Sequence, residues 1–150
     1  MKPEILVNGA LPAHVMEALD ARYTLHKPYE AADRAALLRD VGSRIRGIAT
    51  SNFYGVRADL MDACPNLEII SSIGVGTESH DVEHARKRGI QVANTPDVLN
   101  DDVANLAVLL LLATTRKLVA YDAYVRAGRW AREGDPPLTR SIAGRQVGIV

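Results

Sequence analysis

The residues best placed to do chemistry are Ile73-Gly74-Val75-Gly76-Thr77-Glu78. They follow the clearest strand-like run in the chain, Leu67 to Ile73, and precede a helix-like segment from about Ser79 to Arg88. Two glycines let a backbone approach a ligand closely and turn its amides toward an anion. The start of the following helix adds a positive dipole end. A dinucleotide fingerprint would need a third glycine, and Ser79 stands in its place. One short loop offers a few amides, which suits a small carboxylate better than a pyrophosphate. A tight strand-to-helix turn with no ligand is the competing reading of the same residues.

Other constellations are weaker. His80 and His84 lie one helical turn apart, a metal-ligand spacing, but no histidine follows to complete a zinc site, and a solvated helix start explains them better. Arg86-Lys87-Arg88 reads as charge paired with a helix C-terminus. Ser51 and Asn52 end a strand at the same sheet edge as the glycine loop, so they either line a site or merely turn the chain. Cys64, beside Pro65 with no basic neighbour, reads as packed rather than reactive. A phosphoacceptor receiver would need acidic residues where Asn8-Gly9 and Thr50-Ser51-Asn52 stand. A flavin-phosphate loop would need a hydroxyl-rich turn where Gly9-Ala10-Leu11-Pro12 stands.

The elements that must position these residues alternate. Strands are expected at Ile5–Val7, Tyr23–Tyr29 (an edge), Ile45–Ser51, Leu67–Ile73 and Ile90–Ala93. Helices are expected at Pro12–Tyr23, at Glu30–Arg44 with Ala31, Ala35, Leu38 and Val41 on one side, at Ala58–Ala63, and at Ser79–Arg88 ending on Gly89. This alternation predicts an α/β fold with a parallel sheet, in the flavodoxin-like order 2-1-3-4-5. In such sheets, ligands bind where strands end and helices begin.

The 150 residues carry 47% hydrophobic and 24% charged residues and no net charge. That profile fits a globular chain and gives no footprint for nucleic acid or an anionic membrane. One cysteine permits no internal disulfide, and no signal peptide is recognisable, so a cytoplasmic protein is expected.

Asn94 to Lys117 holds an apolar run, Val103 to Ala113, broken only by Asn105. It is shorter than the roughly 20 residues that cross a bilayer. A helix apolar on nearly every side should be buried on nearly every side. Asn100 is expected to cap it, with Asp101 and Asp102 favoured by the dipole and Arg116 and Lys117 at the far end. It suits either a seam between domains or subunits, or the core of one domain. Gly128 to Gly144 reads as a linker, and Gln146 to Val150 as the beginning of a further buried strand.

The run SSIGVGTESHDVEHARKRGIQVANTPDVLNDDVANLAVLLLLATTRK resembles the D-isomer-specific 2-hydroxyacid dehydrogenases, most of all their glyoxylate/hydroxypyruvate reductase branch. GDPPLTRSIAGRQVGIV is similar to the segment leading into that family's NAD(P)-binding half. The resemblance implies that residues 1–98 form a flavodoxin-like substrate domain. Residues 99–150 would then hold an interdomain and dimerisation helix, a linker, and the first strand of an incomplete Rossmann domain.

It also implies roles. The amides of Val75 and Gly76, with Gly74, would hold a substrate carboxylate. Ser51, Asn52 and Phe53 would line the same cleft, and Leu99 and Asn100 would lie near the nicotinamide. The helix over 101–117 would pair two subunits. The family's glycine fingerprint and its Arg, Glu and His would follow Val150, so NAD or NADP would be held mainly beyond this chain, and no residue here is assigned a catalytic role. His80 departs from the family's usual aliphatic residue, and Asn100 from its frequent Thr. The expected activity is NAD(P)H-dependent reduction of a small 2-keto acid. The alternative is a non-enzymatic module that binds a small acid or a partner, with no nucleic acid or membrane involved in either case.

Overall fold

A computed structural model describes residues 2–149. The chain divides into two compact units, the first ending at Val98 and the second starting at Leu99.

The first unit is a five-stranded parallel sheet. Its strands are β1 (Glu4–Asn8), β2 (Thr24–His26), β3 (Gly47–Ser51), β4 (Ile69–Ile73) and β5 (Gln91–Ala93), in the order β2-β1-β3-β4-β5. The helices between them are α1 (Ala13–Arg22), α2 (Arg34–Val41), α3 (Ala58–Asp62) and α4 (Val82–Lys87). Leu6, Ile48, Ile70 and Val92 are in register across four strands. Strand partners share a face, so these residues form one apolar row. Against it pack Val41, Ile45, Val56, Leu60, Met61, Cys64, Leu67, Ala85 and Ile90. One step toward the C-terminal edge the row turns polar, with Asn8, Thr50 and Ser72 in register. Thr50 Oγ1 donates to the Asn8 carbonyl (2.9 Å) and Asn8 Nδ2 to the Gly55 carbonyl (2.6 Å). The core thus ends in hydrogen bonds that fix the loops of this edge.

The order and alternation agree with the sequence reading, but several bounds differ. α2 starts at Arg34 because the Asp33 carboxylate accepts from the Ala36 amide, which leaves Ala31 outside the helix. β3 starts at Gly47, with Ile45 buried just before it. α4 starts at Val82, capped by Asp81, whose carboxylate accepts from the His84 amide. His80 therefore lies in the preceding turn, not on the helix.

The second unit is helical, with α5 (Asn100–Thr115), α6 (Leu118–Arg126) and α7 (Arg129–Glu133). Leu99, not Asn100, holds the cap position of α5, and Asn100 is its first residue. Asp101 and Asp102 lie in its first turn. α5 and α6 meet at 59° across a break where Lys117 adopts φ of 53°. No single helix among the described residues is long and apolar enough to cross a bilayer. Residues 128–144 are not merely a linker, since α7 lies within them. An Arg129–Glu133 ion pair spans α7, and Trp130 Nε1 donates to Asp135. Residues 146–149 form no strand, because no other strand pairs with them, and Val150 lies outside the described residues. Among the residues of α5 none is buried, and Val103, Leu106, Val108, Leu109, Leu110 and Leu112 are all exposed. Among the described residues, the covering that this sequence calls for is not supplied.

Candidate functional site

At the C-terminal edge of the sheet, the loop after β4 is held from outside. The Gly74 amide donates to Thr95 Oγ1, and the Thr95 amide donates to the Gly74 carbonyl, both at 3.0 Å. Asn94 Nδ2 donates to the Val75 carbonyl at 2.8 Å. The His80 amide donates back to the Thr77 carbonyl at 3.0 Å. Beneath the loop, His80 Nε2 lies 2.9 Å from Ser72 Oγ.

What the loop leaves open matters more. Among the described residues, no protein group accepts from the Val75 or Gly76 amide. Two adjacent unpaired amides on a clamped backbone can donate to an anion's oxygens. At the start of α4 the Asp81 carboxylate accepts from the His84 amide, so one of that helix's free amides is taken and a negative charge stands beside the positive end.

Gly74 has φ of +124°, a conformation that favours glycine, and an added Cβ would meet Asn52 Oδ1 at 2.6 Å. The Asn52 amide in turn donates to the Ile73 carbonyl at 3.1 Å. Asn52 thus lies against the loop. Phe53 follows it and is 89% exposed. Ser51 is buried, its hydroxyl has no partner, and it lies opposite Ile73 on the sheet face away from Ser72. Leu99 and Asn100 belong to the second unit, where the Leu99 carbonyl accepts the Val103 amide at 2.9 Å.

The two histidines do not share a site. His80 is buried against Ser72, while His84 Nε2 lies 2.8 Å from Asp62 Oδ1. Among the described residues no group of three or more His, Cys, Asp or Glu side chains is placed to hold a metal ion. Burial pushes the His80 imidazole below its usual range, and the Arg57 charge acts in the same direction. Burial likewise pushes the Cys64 thiol up to about 11, against the pull of Arg88, so the thiolate is scarce.

The loop after β4 does not fit a dinucleotide. Ser79 occupies the third-glycine position with its hydroxyl buried and unpartnered, and the Asp81 carboxylate guards the helix start. A separate apolar trough of about 460 Å³ lies on the opposite sheet face, among Ile5, Leu11, Val15, Leu19, Ile69 and Ile73. Its lining also includes Glu4, Arg46, Glu68 and Ser71, with the Arg46 guanidinium paired to the Glu68 carboxylate. The role of Thr95 could not be found from the sequence, because its hydroxyl reaches Gly74 only through the fold.

Residues 5–141 match the model of the D-isomer specific 2-hydroxyacid dehydrogenase family, catalytic domain. A 2-ketogluconate reductase of Gluconobacter oxydans is 44% identical over 148 residues, which cover 99% of this chain and 46% of the relative. A glyoxylate/hydroxypyruvate reductase A of Arabidopsis thaliana is 36% identical over 97% of this chain and 46% of its own length. Among solved structures, a 2-hydroxyacid dehydrogenase from Ketogulonicigenium vulgare superposes with a TM-score of 0.91 at 51% identity, covering 97% of this chain and 46% of that one. The NADPH-dependent glyoxylate/hydroxypyruvate reductase of Sinorhizobium meliloti, in complex with NADP and malonate, gives a TM-score of 0.82 at 42% identity, covering 97% and 44%. The chain spans about half the length of the curated relatives it matches.

Proposed function

This chain belongs to the D-isomer-specific 2-hydroxyacid dehydrogenase family, and on that footing we propose that it is the N-terminal part of an oxidoreductase. That enzyme reduces a small 2-keto acid, of the glyoxylate or hydroxypyruvate type, to the D-2-hydroxy acid with NADH or NADPH. Residues 1–98 are its substrate-binding domain. The observation that carries this reading is the pair of unpaired amides at Val75 and Gly76, on a loop fixed by Thr95 and Asn94. They bind the substrate carboxylate. Gly74 permits the loop's turn, Asn52 buttresses it, Phe53 and Ser51 border the cleft, and Leu99 and Asn100 approach the cofactor. Malonate in the Sinorhizobium meliloti complex is a small carboxylate of the same class.

The same reading assigns α5 to a homodimer interface, supported by its exposed leucines. It gives residues 99–150 the role of joining the substrate domain to a cofactor domain, and it places the enzyme in the cytoplasm, in keeping with one buried free thiol. No residue of this chain is assigned a catalytic role. The non-enzymatic alternative is set aside, because the relatives named above are oxidoreductases.

Steady-state kinetics test the reading. The full-length protein should oxidise NADH or NADPH in the presence of glyoxylate or hydroxypyruvate, and Gly76→Val should raise the KM for the keto acid. The 150-residue chain alone should show no turnover. Turnover by the chain alone, or an unchanged KM in a folded Gly76→Val enzyme, would overturn it.

A further inference from the structure

Ser72 is the penultimate residue of β4, and His80 is the last residue before the cap of α4. They stand at the two ends of the loop that carries Val75 and Gly76, and their side chains meet at 2.9 Å beneath it. Ser72 is 3% exposed and His80 4%. We propose that His80 is a positioning residue for the carboxylate loop, closing the loop at its base through Ser72. This rests on the reading that the Val75 and Gly76 amides bind the substrate.

Three observations carry the proposal. First, the other fastenings of the loop lie elsewhere. Thr95 and Asn94 hold Gly74 and Val75 from the β5 side, and among the described residues Thr77 is held by the His80 amide. The stretch from Gly76 to Ser79 therefore depends on where His80 is anchored. Second, His80 Nδ1 is buried with no partner. A buried imidazole that satisfies one nitrogen and leaves the other unpaired is a poor choice for filling space, since an aliphatic side chain would avoid that desolvation. Its bond to Ser72 is what distinguishes it from such a filler. Third, the turn that His80 ends is packed against the loop after β3. The Asp81 amide donates to the Val56 carbonyl at 2.9 Å, and a Cβ on Gly55 would lie 2.2 Å from the Ser79 carbonyl oxygen. A shift of His80 would therefore be passed to both rims of the site.

Either tautomer makes the bond: with the proton on Nε2 the imidazole donates to Ser72 Oγ, and with the proton on Nδ1 the Ser72 hydroxyl donates to Nε2. In both, the neutral imidazole of His80 is a strut between the two ends of the loop.

The test is kinetic, in the full-length enzyme with glyoxylate as the probe. His80→Leu and Ser72→Ala should each raise the KM for glyoxylate by about three- to tenfold, the scale of one lost hydrogen bond. Both should leave kcat and the KM for the nicotinamide cofactor within about twofold. His80→Gln, whose amide reaches the Nε2 position, should restore the KM. The double variant should be no worse than the poorer single one, because both remove the same contact. A His80→Leu enzyme with an unchanged KM would overturn the proposal, as would a His80→Gln enzyme no better than His80→Leu. Equal losses in kcat and both KM values would also overturn it, by showing a general packing role. Ser72→Ala removes little volume and keeps the test decisive if His80→Leu does not fold. Failure of the underlying reading looks different: there Gly76→Val would leave the KM unchanged as well.

Discussion

Thr95 holds Gly74 at both of its backbone polar groups, its Oγ1 accepting from the glycine amide and its own amide donating to the glycine carbonyl. Only the first bond depends on the side chain. Thr95→Val should therefore keep the backbone bond, orphan the Gly74 amide and cost about 0.5–1.5 kcal/mol of stability. In the full-length enzyme it should raise the KM for the keto acid more than it lowers kcat, while Thr95→Ser should be near wild type. Equal kinetics for the Val and Ser variants would show that the loop does not need this bond.

Gly74 and Gly76 should respond differently to substitution. Gly74→Ala faces both a positive φ and the Asn52 side chain, so it should lower the melting temperature. A side chain at Gly76 meets only the carboxylate end of Glu78, which is exposed and can move. Gly76→Val should therefore leave stability within about 0.5 kcal/mol while crowding the approach to its amide. Thermal unfolding of the two variants side by side distinguishes a structural glycine from one kept for access.

The glycine loop and the order of the sheet were legible in the sequence, and the reasons are local. Ile5 to Val7 and Leu67 to Ile73 are apolar runs ended by turn residues, and the stretches between them carry helical spacing. His80 was misplaced onto α4 because the signal of the Asp81 cap, a carboxylate three residues before His84, was outweighed by the periodicity running through it. α7 was hidden by Gly128, Gly134 and the prolines around it, since its stability rests on the Arg129–Glu133 pair and on Trp130 meeting Asp135. Gln146 to Ile149 has strand propensity, but strand formation requires a second strand, and propensity cannot provide one. Thr95 gave no signal, because its partner is 21 residues away.

α5 makes a prediction about the chain in solution. Leu106, Leu109 and Leu110 are each more than half exposed, and Leu112 is 40% exposed. A large aliphatic side chain left in water forgoes roughly 1.5–3 kcal/mol. The isolated 150-residue chain should therefore self-associate, and Leu109→Lys with Leu112→Glu should raise the monomer fraction in sedimentation velocity. A monomeric wild-type chain at high concentration that binds no hydrophobic dye would count against α5 as an interface.

Stability should fall on acidification in two stages. The folded-state pKa of His80 is lowered by burial and then by Arg57, so the unfolded chain takes up this proton first as pH falls past about 6.5. The contribution is whole above that value and is lost as pH falls toward the folded one. Glu4 is lowered by Arg44 and then His26, and Asp62 by His84 and then Arg88. Their contributions are present above the ordinary carboxylate range and are lost only at lower pH, through their folded values. Urea midpoints should therefore drop between pH 7.5 and 5.5, and His80→Leu should flatten that interval while leaving the more acidic decline. An unchanged slope in His80→Leu would show that His80 titrates normally.

The amides of Val75 and Gly76 are the centre of the account, and a crystal structure of the full-length protein soaked with malonate tests them most directly. One carboxylate group should bind with its oxygens about 2.7–3.2 Å from both amide nitrogens, with Gly74 still held by Thr95. Malonate bound elsewhere, with both amides facing solvent or turned to a protein acceptor, would contradict it.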